Sequence, residues 1–407
     1  MKKFLGIIAS LILILSLAAC SKSSSSQAAS PDVLKVGAIT SLSGALQDYG
    51  ECFQRGFLLG LEYMTKGTNV VAGRTLEIIW EDTTNTPDVA KERTLKLLER
   101  DKVEMVVGYA SSGDAVACLP LFEEFETIGI VEPAAADALI SKENWNEYMF
   151  RTGRTSGQDA LAMASVLKKA HPDGKATIAC FSPDTTYGYS MVNPFVAAVK
   201  EAGFNVTQIE YAPQDANDFS PYFLRIKAAA PDYLYVSWAG ANSPWMQLLE
   251  LDLPGAGITL ITGAPDLPQL RGMVPLGKIG GKGYCVYYPD LPQNEPLNDW
   301  MLKRHSELYS FRPDFFTSGG FAAAVAMCTA LEKTGGKTDA RLLIQTMEGM
   351  EFDSPTGKRF FRAQDHQAMQ DLYEVELTWQ EGADHCIPKY VSLIKANEIT
   401  PPITNGR

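Results

Sequence analysis

Residues 108–116 read GYASSGDAV, so Ser111, Ser112 and Gly113 fall where the apolar run VEMVVG gives way to the helical pattern AVACLPLFEEFE. A hydroxyl at such a junction has two uses. It can cap the first turn by accepting a backbone N–H. It can also stand beside the free N–H groups and partial positive charge of the helix start and donate to an anion. A carboxylate suits that second arrangement, and Gly113 lets a ligand or main chain approach closely. Tyr187, followed by Gly188 at another helix start, is either a ligand-facing polar ring or an amphipathic surface ring. Trp238 and Trp245 flank the small-residue loop AGANSP, where large aromatics line an apolar pocket or fill the interior.

Catalytic signatures do not occur. HExxH, the GxSxG elbow and the Walker A loop are absent, and the glycines of GKIGGKG lack the strand-to-helix context of a nucleotide site. No two carboxylates are paired as acid and base. His171, His305, His366 and His385 lie among polar neighbours and read as solvated surface groups. Cys52, Cys118, Cys180, Cys285, Cys328 and Cys386 are scattered singly, which gives no support to metal or redox chemistry. An even count in an exported chain permits disulfides, yet Cys180 in TIACF and Cys328 in AAVAMCTAL read as small core residues. These features point to a binding protein, not an enzyme, with no cofactor.

The elements that would position the serine turn follow a simple rhythm. VLKVGAIT, TLEIIWED and VEMVVGY are short apolar strands separated by the amphipathic helices YGECFQRGFLLGLEYMT and PDVAKERTLKLLERD. Such alternation predicts a parallel sheet covered on both faces, with ligands beyond the carboxyl ends of the strands. The series restarts after FRTGR with a helix over Ser156–Ala170 and the strands ATIACF, VTQIEYA, PDYLYVSWAG and ITLITG. Two α/β series of similar size predict two lobes. Past Gly283 come YCVYY, helices over Pro296–Tyr309, Thr317–Lys333 and Asp339–Met347, the hairpin-like FDSPTGKRFFR and the strand YEVELTW. With 407 residues, 46% apolar and 21% charged, the chain can bury two cores. Its net charge of −12 leaves no basic face for nucleic acid or an anionic membrane.

The N-terminus reads as an export signal. Lys2 and Lys3 precede the apolar segment Phe4–Leu15, which is short for a membrane span of about twenty residues. Leu17-Ala18-Ala19-Cys20 resembles the bacterial lipobox, whose cysteine is diacylated, and the Ser-rich SKSSSSQAAS that follows suits a tether. Residues 1–20 are thus expected as a lipoprotein signal peptide and 21–32 as a tether, leaving the chain outside the cytoplasm on a lipid anchor at Cys20.

VLKVGAITSLSGALQDYG, VVGYASSG, IGIVEPAAADAL, FRTGRTSGQDA, the DTTYG element, DFSPYFLRIKAAAPDYLYVSWAG and FDSPTGKRFFR, in that order, resemble the leucine/isoleucine/valine-binding proteins. These are the branched-chain amino acid class of ABC-transporter substrate-binding protein. The resemblance implies a type I periplasmic-binding fold, two doubly wound parallel-sheet lobes joined by a three-strand hinge. It also informs where the chain crosses between them. Lobe 1 is expected over 33–152 plus 288–361, and lobe 2 over 153–287 plus 362–397. A monomer handing a small carboxylate-bearing ligand to ABC permease subunits is the implied role. For the ligand set the resemblance implies Tyr49, Tyr109, Ser111, Ser112, Ala134, Ala136, Tyr187, Trp238 and Asp266. Asp266 would meet an α-ammonium, although an Asp after Pro is ordinarily a turn residue. Two departures stand out: Ala136 replaces the usual threonine, and Ala239 the usual tyrosine. They make an aromatic or other non-amino-acid carboxylate a rival to a hydrophobic amino acid. A sensory module serving a separate signalling partner is the alternative from another class.

Overall fold

The computed structural model describes residues 32–239, 242–264 and 267–406. Cys20, with its leader and tether, and Asp266 lie outside the described residues. The first sheet has the order β2-β3-β1-β4-β5-β6. Its strands are β1 (Val33–Thr40), β2 (Val70–Val71), β3 (Arg74–Asp82), β4 (Met105–Gly108), β5 (Ile128–Val131) and β6 (Met149–Arg151). All neighbours in it pair in parallel except β2 with β3. The second sheet contains β7 (Thr177–Pro183), β8 (Asn205–Ala212), β9 (Tyr233–Val236), β10 (Thr259–Ala264) and β11 (Gly281–Cys285). Its order is β16-β15-β11-β10-β9-β7-β8, where β15 (Leu372–Thr378) and β16 (Ile387–Ile394) add an antiparallel edge. A small antiparallel sheet joins β12 (Glu351–Phe352), β13 (Arg359–Phe361) and β14 (Ala368–Met369).

Burial follows strand position. The interior strands β4, β5 and β9 are buried at every residue, as expected of runs covered on both faces, whereas the edge strand β8 alternates. β16 was not anticipated, because IPKYVSLI mixes Lys389 and an exposed Tyr390 and Val391 into its pattern. YCVYY is likewise strand only up to Cys285.

On the first sheet pack α1 (Gln47–Thr65), α2 (Pro87–Leu95), α3 (Ser112–Glu124), and, after β11, α10 (Pro296–Leu308), α11 (Phe315–Thr334) and α12 (Ala340–Met347). α1 and α11 lie in intimate contact because Gly56 abuts α11, where a Cβ would fall 1.9 Å from the Thr317 carbonyl oxygen. Thr155 opens α4 (Ser156–Ala170) with a capping box, its hydroxyl on the Gln158 N–H and the Gln158 side chain on its own. α5 (Thr186–Glu201), α6 (Ser220–Ala229), α7 (Trp245–Glu250), α8 (Leu267–Gly272) and α9 (Val274–Ile279) belong with the second sheet.

The chain passes from the first sheet to the second after β6, leaves the second after β11 and rejoins it, by way of the small sheet, after β14, and buried polar groups tie these passages together. Arg359 Nη1 donates to the Thr152 carbonyl at 2.8 Å, and the Thr152 hydroxyl donates to Glu132 Oε2 at 2.9 Å. Arg151 Nη1 donates to the Ala136 carbonyl at 2.7 Å. The last residues return to this region: Asn405 Nδ2 donates to the Gln364 carbonyl and Arg362 Nη1 to that of Pro401.

Two histidines contradict the surface reading. His366 is fully buried, stacked on Phe150 with ring centroids 3.9 Å apart, because its polar neighbours Asp365 and Gln367 are themselves buried in the hinge. His305 is buried against Tyr309 and Phe311, and burial pulls its imidazole down to about 4. All six described cysteines are buried.

Candidate ligand-binding cleft

The serine turn divides two tasks between its hydroxyls. β4 ends at Gly108 with φ +137°, where a Cβ would fall 1.9 Å from the Ile39 carbonyl oxygen, so only glycine fits. Ser111, extended at φ −91° and ψ 129°, caps α3 by accepting the Asp114 N–H at 3.3 Å. Ser112 is the first helical residue, and its Oγ accepts the Ala136 N–H at 3.2 Å. With one lone pair engaged by the Ala136 N–H, the Ser112 hydroxyl keeps its proton to donate. It does so at the N-terminus of a 13-residue helix, where dipole and free N–H groups favour an anion.

Both serines open onto a cavity of about 310 Å³ between the two sheets. That volume lies at the small end of ligand sites. Tyr49 and Phe316 form one side of it, stacked at 4.3 Å. From the second sheet come Thr185, whose hydroxyl caps α5 on the Gly188 N–H, and Tyr187 in the first turn. Trp238 follows β9, stacked on Phe181 at 5.4 Å and edge-on to Phe219 at 4.9 Å, with its indole N–H on the Asn242 carbonyl. Trp245 and Tyr284 complete that side. The two sides touch: Gln269 Nε2 donates to the Tyr49 hydroxyl at 3.4 Å, and the Asp137 N–H donates to Ser190 Oγ at 2.7 Å.

Charge is sparse here. Among the described residues that line the cavity, Arg154 is the one ionisable cation and no Asp or Glu is present. Its Nε donates to Asp159 Oδ2 at 3.1 Å and its Cζ lies 4.5 Å from the Phe315 ring centroid. Burial works against the charge, yet Asp159, Tyr187 and Tyr284 beside it hold the guanidinium above its ordinary value. Behind the serine turn, Asp114 is fully buried beside the Thr83 and Ser111 hydroxyls, and burial pushes its carboxyl up to about 6.

The cavity thus brings together Tyr49, Ser111, Ser112, Tyr187 and Trp238 from the sequence-derived set. Three others lie off its wall. Tyr109 sits at φ +76°, which turns its ring away from the cavity so that its hydroxyl meets Thr94 Oγ1 at 2.9 Å. Ala134 is buried with its N–H on the Tyr109 carbonyl, and the neighbouring Pro133 and Ala135 form the wall instead. Ala136 is buried and serves through its N–H on Ser112, not as a wall residue. Sequence reasoning missed Arg154, Gln269, Tyr284, Phe315 and Phe316 as cavity residues. Only Arg154 carried a signal, as a lone cation in the quoted stretch FRTGRTSGQDA.

The sequence profile of the family described as periplasmic binding protein matches residues 33–383. The chain belongs to this family. It is the substrate-binding protein of an ABC transporter, and periplasmic binding proteins of ABC importers act outside the cytoplasm. A solved ABC-type branched-chain amino acid transporter protein from Rhodopseudomonas palustris is 37% identical with a TM-score of 0.79, covering 92% of this chain and 100% of its own. The Leu/Ile/Val-binding protein homolog 6 of Brucella abortus is 27% identical over 355 residues, 85% of this chain and 88% of the relative. A solute binding protein from R. palustris in complex with 4-hydroxybenzoate shares the fold at 24% identity and a TM-score of 0.79, covering 89% of this chain and 97% of that one. Like these periplasmic binding proteins, the chain is α/β with two parallel-dominated sheets.

Proposed function

We propose that this periplasmic binding protein closes its lobes around a small carboxylate-bearing solute and hands it, as a monomer, to the transmembrane subunits of an ABC importer. The observation that carries the reading is Ser112: its oxygen accepts the Ala136 N–H, and the residue lines a cavity at a helix N-terminus with its proton left to donate. Ligand contacts from both sides exist only when the lobes are together, so binding stabilises the closed state. Tyr49 and Ser112 would act from lobe 1, taken as 33–152 plus 288–361. Tyr187 and Trp238 would act from lobe 2, taken as 153–287 plus 362–397, with Asp266 as the ammonium partner where the ligand is an amino acid. A hydrophobic amino acid has support from the 37% identical relative, which is named as a branched-chain amino acid transporter protein. A ring-bearing acid has support from the seven aromatic side chains on the cavity wall. Calorimetry with matched acids and amides tests the carboxylate reading: acids should bind and their neutral amides should not, and equal affinities would refute it.

The same reading anchors the chain through a diacylated Cys20 after cleavage of the signal peptide immediately before it, with 21–32 as tether. Palmitate incorporation in the bacterial host should be lost in Cys20→Ser.

A further inference from the structure

We propose that Arg154 is a ligand-contacting, specificity-determining residue whose guanidinium takes an anionic oxygen of the bound solute. The cleft then favours ring-bearing acids without an ammonium group over α-amino acids. This inference rests on the carboxylate reading above and sharpens its ligand class.

Arg154 stands in the first passage between the sheets, and its segment is fixed against the serine side of the cavity. Ser156 donates both its N–H and its hydroxyl to the carbonyl of Ala135, a wall residue. A guanidinium has five N–H donors. Among the described residues only the Nε–H of Arg154 is hydrogen-bonded, to Asp159 Oδ2 at 3.1 Å, so the four donors of the Nη end have no protein acceptor. The side chain is 10% exposed, and that exposure lies on a cavity it lines. Phe315 packs against the guanidinium face, which leaves the in-plane edge as the direction for a bound group. Asp159 is fully buried with its backbone N–H on the Thr155 carbonyl, so the guanidinium is held in place before any ligand arrives.

A forked, preset donor pair of this kind matches the two oxygens of a carboxylate. An ammonium brought to it would face a cation with no carboxylate among the described wall residues to offset it. The neighbouring surfaces are rings, Tyr187, Tyr284 and Phe315, so the body of the favoured solute is planar and apolar.

Calorimetry on the mature protein with benzoate, 3-phenylpropanoate, their amides, L-phenylalanine and L-leucine tests this. Two variants accompany the wild type. Arg154→Lys keeps the charge and loses the fork. The double variant Arg154→Met/Asp159→Asn removes both partners of the buried pair, so no unpaired charge remains to unfold the chain. Unchanged melting temperature of the double variant confirms that it folds. The wild type should bind at least one of the two acids tenfold or more tighter than its amide and than either amino acid. Arg154→Lys should weaken that acid several-fold, and the double variant should lose at least tenfold with the acid-to-amide ratio falling toward one. A wild type that prefers L-leucine or L-phenylalanine, or a folded double variant with an unchanged acid-to-amide ratio, overturns the inference and leaves the carboxylate reading standing. No binding of any acid or amino acid overturns both.

Discussion

The two walls of the cleft are built on different principles. On the lobe 1 side the serine turn uses short side chains and main-chain groups: Ser111 caps, Ser112 is set by the Ala136 N–H, and Pro133 and Ala135 close the surface. All of these come from two short segments at strand ends. On the lobe 2 side Trp238 and Trp245 also belong to that lobe's core, with Trp238 stacked on Phe181 and edge-on to Phe219. One wall can therefore lose function without losing its fold, and the other cannot. In this account the charged group is met by Ser112 on the first wall and by Arg154 on the second, and the rings of the second wall set the shape.

The largest test of that contrast is Trp238→Ala, which removes a buried ring from the lobe 2 core and should cost about 3 to 5 kcal/mol of stability in a urea melt. A loss below 1 kcal/mol would mean the wall is not core. Behind the serine turn, the folded value of Asp114, about 6, lies above the ordinary 3.8. Between those values the folded chain keeps a proton the unfolded chain has released, so stability falls as pH rises through that window. Asp114→Asn should therefore gain on the wild type from about pH 4 to 6 and stay ahead above it, by about 1 to 3 kcal/mol. Melts at pH 4, 6 and 8 read this directly, and a pH-independent difference would contradict it.

The two serines then separate. Ser112→Ala should weaken acid binding by about 1 to 3 kcal/mol, the scale of a bond to a charged group, and should cost some stability by orphaning the Ala136 N–H. Ser111→Ala should cost about 1 kcal/mol of stability as a lost cap, with little change in affinity. Paired calorimetry and melts distinguish them, and identical profiles would remove the division of labour. Tyr49→Phe is the smallest change, deleting the link to Gln269 between the walls for about 1 kcal/mol at most in affinity.

The same contrast explains what the sequence disclosed. Apolar strands alternating with helices made both sheets legible, and the expected bounds of α4 match the observed ones, where Thr155 and Gln158 form a capping box. The serine turn was legible as a local motif. Its neighbour Tyr109 was not, since its left-handed backbone, which reverses where the ring points, leaves no mark in residue type. The lobe 2 wall draws on Arg154, Tyr187, Trp238, Gln269 and Tyr284, brought together from five places in the chain by tertiary packing alone. His305 and His366 read as surface groups because local polarity says nothing about burial inside a hinge or against a helix.

The central claim is that a carboxylate is gripped at the α3 N-terminus between two closing walls. Thermal unfolding of the mature protein against small acids and their amides tests it most directly, because a ligand that binds only the folded state raises the melting temperature with concentration. The account predicts a shift with at least one acid, none with its amide, and a much smaller shift in Ser112→Ala. An equal shift with acid and amide, or an undiminished one in Ser112→Ala, would contradict it.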